Sequence, residues 1–109
     1  MSGEVMSEFH AATRVEGECA VLALEGELDF AVQQQVRAAI ERASEARVLV
    51  IDLRDLTFMD TSGIHLLLET RDRCRASGRM LLIVRGSALV HRGLAALGLE
   101  HEFEFVDAP

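Results

Sequence analysis

Two short runs constrain this chain more than anything else in it: Val48-Leu49-Val50-Ile51 and Met80-Leu81-Leu82-Ile83-Val84. Neither is interrupted by a polar residue, and the first is rich in β-branched side chains. A strand with one wet face alternates apolar and polar residues, so unbroken runs of this length predict strands buried on both faces, hence central and parallel. Parallel neighbours need a crossover, and the residues between the runs supply one. From about Ser62 a helix is predicted, with Ile64, Leu67, Leu68 and Cys74 on one side and Arg71, Asp72, Arg73 and Arg75 mostly on the other. Gly78 is its expected stop. Strand, helix and strand then make one right-handed βαβ unit. Leu82 is assigned to the interior, so that Leu82→Asp would drive an unpaired charge into the core at a cost of several kcal/mol.

The flanking segments complete the pattern. Phe9 to Val15 and Cys19 to Leu24 read as two strands of a hairpin around Glu16-Gly17-Glu18. Gly26-Glu27-Leu28-Asp29 breaks the strand pattern, and Asp29 is a good N-cap. Val32, Val36 and Ile40, with Ala39 and Ala43, then form one apolar stripe of a helix running to about Ser44. Asp52 to Asp60 is predicted as a loop anchored by Leu53, Leu56, Phe58 and Met59. Gly86-Ser87 opens a last helix carrying Val90, Leu94 and Leu97, closed by Gly98. His101 to Val106 alternates and reads as an edge strand. The order is ββαβαβαβ: an α/β single domain with a small mixed sheet and helices packed mainly on one side.

With 109 residues the chain has room for one core and one domain. Its net charge is −7, and all 11 of its basic residues other than histidine are arginines. Without lysine there is no Schiff base and no P-loop or kinase-type ATP lysine. An acidic chain with no basic run is a poor match for nucleic acid or an anionic membrane surface. No apolar stretch reaches the roughly 18 residues of a membrane span, and Met1 to Glu8 is polar and acidic, unlike a signal peptide. Cys19 and Cys74 form no CxxC pair, which argues against a disulfide framework or structural zinc and fits a reducing cytoplasm.

The chemistry-bearing residues concentrate in Phe58-Met59-Asp60-Thr61-Ser62-Gly63-Ile64. An acid, two hydroxyls and a glycine stand where a buried strand hands over to a helix, outside the carboxyl end of a parallel sheet. The free amides of that helix start favour an anion. Gly63 removes a side chain that could block approach to them, so a phosphate on Thr61 or Ser62 would sit in a favourable field. On residue types alone, a Thr or Ser here is an ordinary N-cap; that leaves unexplained why Asp, Thr and Ser stand in a row. His10, His65, His91 and His101 lack metal-ligand spacing. Asp60, Ser62 and His65 could be drawn as a nucleophile set, but the G-x-S-x-G elbow is missing. A phospho-acceptor receiver domain would need a paired acid cluster and a lysine. No catalytic residue, cofactor or metal ligand set is assigned.

Together these pieces resemble the STAS domains, the anti-sigma factor antagonists of bacteria. Gly26-Glu27-Leu28-Asp29 is similar to the family's signature after its second strand, Leu56 through Ile64 to its phosphorylation loop, and Val90 through Gly98-Leu99 to its closing helix and Gly-Leu exit. The resemblance covers residues 9–106, leaving 1–8 as a flexible N-terminal segment. It implies a cytoplasmic, non-enzymatic regulator, a monomer when free. In its unphosphorylated form such a protein binds an anti-sigma factor that is also a serine/threonine kinase. Phosphorylation releases it, a phosphatase restores binding, and sigma-factor-dependent transcription responds. By position the acceptor is Thr61, with Ser62 as the alternative, and the partner surface comprises Asp29, Asp60, Thr61, Ser62, Gly63, Ile64 and His65. Thr61 replaces the more usual serine, and His65 stands where many relatives have a second glycine. The other roles known on this fold are an unphosphorylated scaffold, a ligand sensor or a transporter accessory subunit.

Overall fold

The computed structural model describes residues 8–107, so most of the N-terminal segment expected to be flexible lies outside the described residues. The order of elements is the one expected: β1 (His10–Glu16), β2 (Cys19–Leu28), α1 (Gln33–Arg42), β3 (Val48–Met59), α2 (Thr61–Ala76), β4 (Met80–Val84), α3 (Ala88–Ala96) and β5 (Glu104–Val106). The strands lie in one mixed sheet in chain order, β1-β2-β3-β4-β5. Only the β1–β2 hairpin is antiparallel; the two apolar runs pair in parallel, Leu49 opposite Leu81 and Ile51 opposite Ile83. β5 closes one edge, but its regular part is three residues long, because residues before Glu104 form a turn rather than the start of a strand.

The central strands are not buried on both faces. In β3, Leu49, Ile51 and Leu53 are buried while Val48, Val50 and Asp52 are half-buried, and Leu82 of β4 is half-buried between Leu81 and Ile83. The core lies against one face, where Val36, Ala39 and Ile40 of α1, Ile64, Leu66, Leu67 and Cys74 of α2, and Val90 and Leu94 of α3 pack on Leu22, Leu49, Ile51 and Ile83. The other face carries Arg14, Val21, Val50, Asp52 and Arg54 around a shallow hollow, and among the described residues no helix covers it. Val50 and Leu82 therefore rest on neighbouring strands rather than inside a second core layer. This corrects both the two-faced burial and the interior assignment of Leu82.

Strands β2 and β3 are also longer than their sequences indicate. Gly26 does not end β2; it takes φ +106° inside the strand, and a Cβ there would lie 2.6 Å from the carbonyl oxygen of Glu8. The register between β2 and β3 slips on either side of it, and pairing resumes at Glu27–Phe58 and Leu28–Met59. Of the span 52–60, expected to be a loop, residues 52–59 are the last eight of the twelve residues of β3. Its apolar residues are irregularly spaced because the strand follows those slips, burying Leu53, Leu56 and Met59. A strand bulged in this way loses the period of two on which recognition from sequence depends.

Candidate functional site

The last pairing of β2 with β3, Leu28 opposite Met59, sets up the site. One residue further on, each strand ends in an aspartate that caps a helical turn. The Asp60 amide donates to the Leu28 carbonyl (3.2 Å), which holds the two strand exits side by side. Asp29 accepts from the Ala31 amide (3.0 Å) at the head of a single 3-10 turn, Phe30–Val32, that leads into α1. Asp60 caps α2: its Oδ1 accepts from the Gly63 amide (3.1 Å) and from the Ser62 hydroxyl (2.6 Å). The cap is thus the aspartate rather than a hydroxyl residue, and Thr61 is the first residue of the helix.

The three polar residues in a row are consequently unequal. Ser62 is half-buried and committed to Asp60, and the Gln33 side chain donates to its carbonyl oxygen (3.2 Å). Thr61 is exposed, and its hydroxyl has no hydrogen-bond partner among the described residues. The Asp60 carboxyl is held below the usual carboxylate range, first by the Ser62 hydroxyl and then by the amides of Gly63, Ser62 and Phe30, with burial opposing. It is therefore a fixed negative charge at neutral pH, directly before an open hydroxyl. Its charge is already matched to the helix amides, as expected at an N-terminus.

Gly63 serves packing rather than access. A Cβ on it would lie 2.7 Å from Met59 Cγ and 2.9 Å from Leu28 Cγ, so the absent side chain lets α2 start directly against the two strand ends. Gly63 and Ile64 are both buried, and of the seven residues assigned to a partner surface they set the loop from below. Asp29 and Asp60, half-buried, and Thr61 and His65, exposed, share the rim with Ser62. Sequence reasoning missed two contributors. Phe30 is 76% exposed and follows Asp29, with its amide directed at Asp60. Gln33 bridges α1 to α2 across 29 residues of sequence. Phe30 does leave a trace in the sequence, since it falls off the Val32, Val36, Ile40 stripe; nothing local links Gln33 to Ser62. Among the described residues no group of three or more His, Cys, Asp or Glu side chains is arranged to hold a metal, and no helix is long and apolar enough to cross a membrane.

A bulged parallel strand pair feeding a capped helix with an open hydroxyl at its first position belongs to a recognisable class. The STAS domain family model matches residues 10–108, and the chain belongs to that family. A STAS-domain-containing protein of Pseudomonas aeruginosa (strain UCBPP-PA14) is 30% identical over 95 residues, covering 86% of this chain and 94% of the relative. Among solved structures, an anti-sigma factor antagonist from Mycobacterium paratuberculosis superposes with a TM-score of 0.83 at 20% identity, over 93% of this chain and 87% of the other. The anti-sigma factor antagonist SpoIIAA in its unphosphorylated form gives 0.77 at 28%, over 94% and 89%. The Bacillus SpoIIAA in its phosphorylated form gives 0.72 at 27%, over 94% and 92%.

Proposed function

We propose that this protein is an anti-sigma factor antagonist that works by partner switching, with Thr61 as the phosphate acceptor. One observation carries the reading: of the adjacent hydroxyls, Ser62 is locked onto Asp60 while Thr61 is open to solvent at the first position of α2. The likeness to a protein solved in both phosphorylated and unphosphorylated forms supports it. In this reading the unmodified rim of Asp29, Phe30, Thr61 and His65 docks on an anti-sigma factor serine/threonine kinase. The exposed aromatic ring of Phe30 supplies the kind of anchor that such interfaces favour. The kinase brings ATP and the catalytic groups; this chain contributes the hydroxyl and its placement.

Phosphorylation adds about −1.5 to −2 charges at the head of a 16-residue helix. Within the chain the amide pole offsets the nearby Asp60 charge, so stability shifts by about 1 kcal/mol or less. At a docked interface a surface fitted to a bare hydroxyl must bury or repel a dianion. Losing about 3 kcal/mol there weakens binding roughly a hundredfold, enough to release the partner. A phosphatase would reset the switch, and sigma-factor-dependent transcription would follow the balance.

The test is coexpression with the cognate kinase, followed by intact mass, phosphosite mapping and a binding titration. The parent and Ser62→Ala should each take one phosphate, on Thr61. Thr61→Ala should bind and stay unmodified, and Thr61→Glu should bind about a hundredfold more weakly. A phosphate mapped to Ser62 would move the site by one residue. Equal binding by the parent, the Glu variant and the phosphorylated protein would end the partner-switch reading in favour of an unphosphorylated scaffold.

A further inference from the structure

At the end of α2 opposite Thr61, the last helical turn, the start of β4 and the connection from α3 to β5 line a solvent-open cavity of about 410 Å³. Sixteen residues of helix span about 24 Å, so this cavity is separate from the hydroxyl site. In a chain of net charge −7, its wall carries Arg71, Arg75, Arg79 and His101 against Glu102 and Glu104.

The arginines are not equivalent. Arg71 is bound to both Asp72 and Glu102, so its charge is matched. Arg79 is fixed by neutral groups: its Nε donates to the Ala46 carbonyl (2.6 Å) and its Nη2 to the Ala43 carbonyl (2.9 Å). Those bonds hold the guanidinium without cancelling its charge. Among the described residues, Arg75 and His101 have no ion pair and no side-chain hydrogen bond. The negative end of α2 accounts for arginines at positions 73 and 75. Arg79, beyond that helix, is anchored by the carbonyls that follow α1, and neither anchor accounts for a cleft that sets these cations beside an apolar wall of Phe103 and Met80.

We propose that this cavity binds a small phosphate monoester with an apolar or aromatic substituent. Arg75, Arg79 and His101 take the phosphate, and Phe103 and Met80 contact the substituent. Guanidinium forks match phosphate oxygens in charge and geometry, and the volume lies in the range of small-molecule sites. Glu104 is the opposing group: an exposed carboxylate on the same wall, which repels the anion and limits affinity.

The experiment is calorimetric titration of the full chain, at fixed ionic strength, with phenyl phosphate, inorganic phosphate and benzyl alcohol. Phenyl phosphate should bind most tightly, inorganic phosphate more weakly, and the alcohol not measurably. Arg75→Ala, at an exposed position, should keep the parent melting temperature and weaken phenyl phosphate about tenfold or more, the effect of one charge-assisted contact. Glu104→Gln should tighten it. Thr61→Ala should leave it unchanged, and so should Arg92→Ala, an exposed arginine of α3 outside the cavity. Absence of saturable binding overturns the proposal. So does an Arg92→Ala loss equal to that of Arg75→Ala, which would mean a net-charge effect. Loss in Thr61→Ala overturns the location, and equal affinity for inorganic and phenyl phosphate overturns the apolar contact.

Discussion

Two adjacent rows of side chains cross the sheet, and they meet different solvents. Leu22, Ile51 and Ile83 stand side by side in register, each fully buried, and Phe105 of β5 extends the row. One residue earlier on each strand, Val21, Val50 and Leu82 form a second row that ends in the exposed Glu104. The first row lies under the three helices; the second has strand neighbours and little else. Residues with the same apolar character do different work because a pleat places consecutive side chains on opposite faces. The uncovered face leaves Val21, Val50 and Leu82 half-buried, buries only Val84 beside them, and finishes its surface with charge, as in the Asp52–Arg54 pair at 2.7 Å. There the Asp52 carboxyl is held low chiefly by its hydrogen bond to Arg54.

The sharpest test of this contrast is a pair of charges one residue apart. Ile83→Asp should unfold the protein or cost about 4 kcal/mol or more, since it buries an unpaired carboxylate and leaves a void. Leu82→Asp should cost about 1–2 kcal/mol, because its carboxylate can reach water. Equal losses in denaturant titrations would mean that something covers the second face in solution. Next in size is Gly63→Ala, where the covered face meets the rim around Thr61. The new methyl would press on Met59 and Leu28, and Leu28 also accepts the bond from the Asp60 amide. The net cost should be about 1–2 kcal/mol after the helix-propensity gain of alanine. No loss would show that the strand ends yield easily.

The smallest effect belongs to the rim itself. Asp60→Ala should cost about 1 kcal/mol at pH 7, the usual value of an N-cap. Because the folded-state pKa of Asp60 is lowered, its contribution is present above the unfolded value, near 4, and is lost as pH falls through the folded value. The gap between parent and variant should therefore close in acid, below about pH 4. A gap that persists unchanged there would mean that the cap contributes through packing and not through charge.

What could be read from the sequence divides along the same line. α2 and the two parallel strands were visible because their apolar spacing is undistorted, and Asp60-Thr61-Ser62 stood out as polar residues at a strand-to-helix junction. The later part of β3 was not visible, because its buried residues change from steps of two to steps of three at Leu53, Leu56 and Met59, which removes the strand period. The unbroken runs were read as buried twice over because nothing local distinguishes Val50 from Ile51. That difference depends on which face the helices choose.

The order of the residues alone determined the ββαβαβαβ succession, the parallel pairing of Val48–Ile51 with the run ending at Val84, and the presence of two adjacent hydroxyls at a helix start. Each of these follows from local spacing and composition, which act between residues close in the chain. Tertiary structure decided that Asp60 is the cap, that Ser62 is bound and Thr61 free, that Gly63 is a contact with Leu28, and that Arg75, Arg79 and His101 share one wall. The Asp60 bonds themselves span only two or three residues, but the strand exit that places them is fixed by the Asp60 amide on the Leu28 carbonyl, and the last two outcomes bring together groups 22 to 35 residues apart. Only the packed sheet brings such groups within reach.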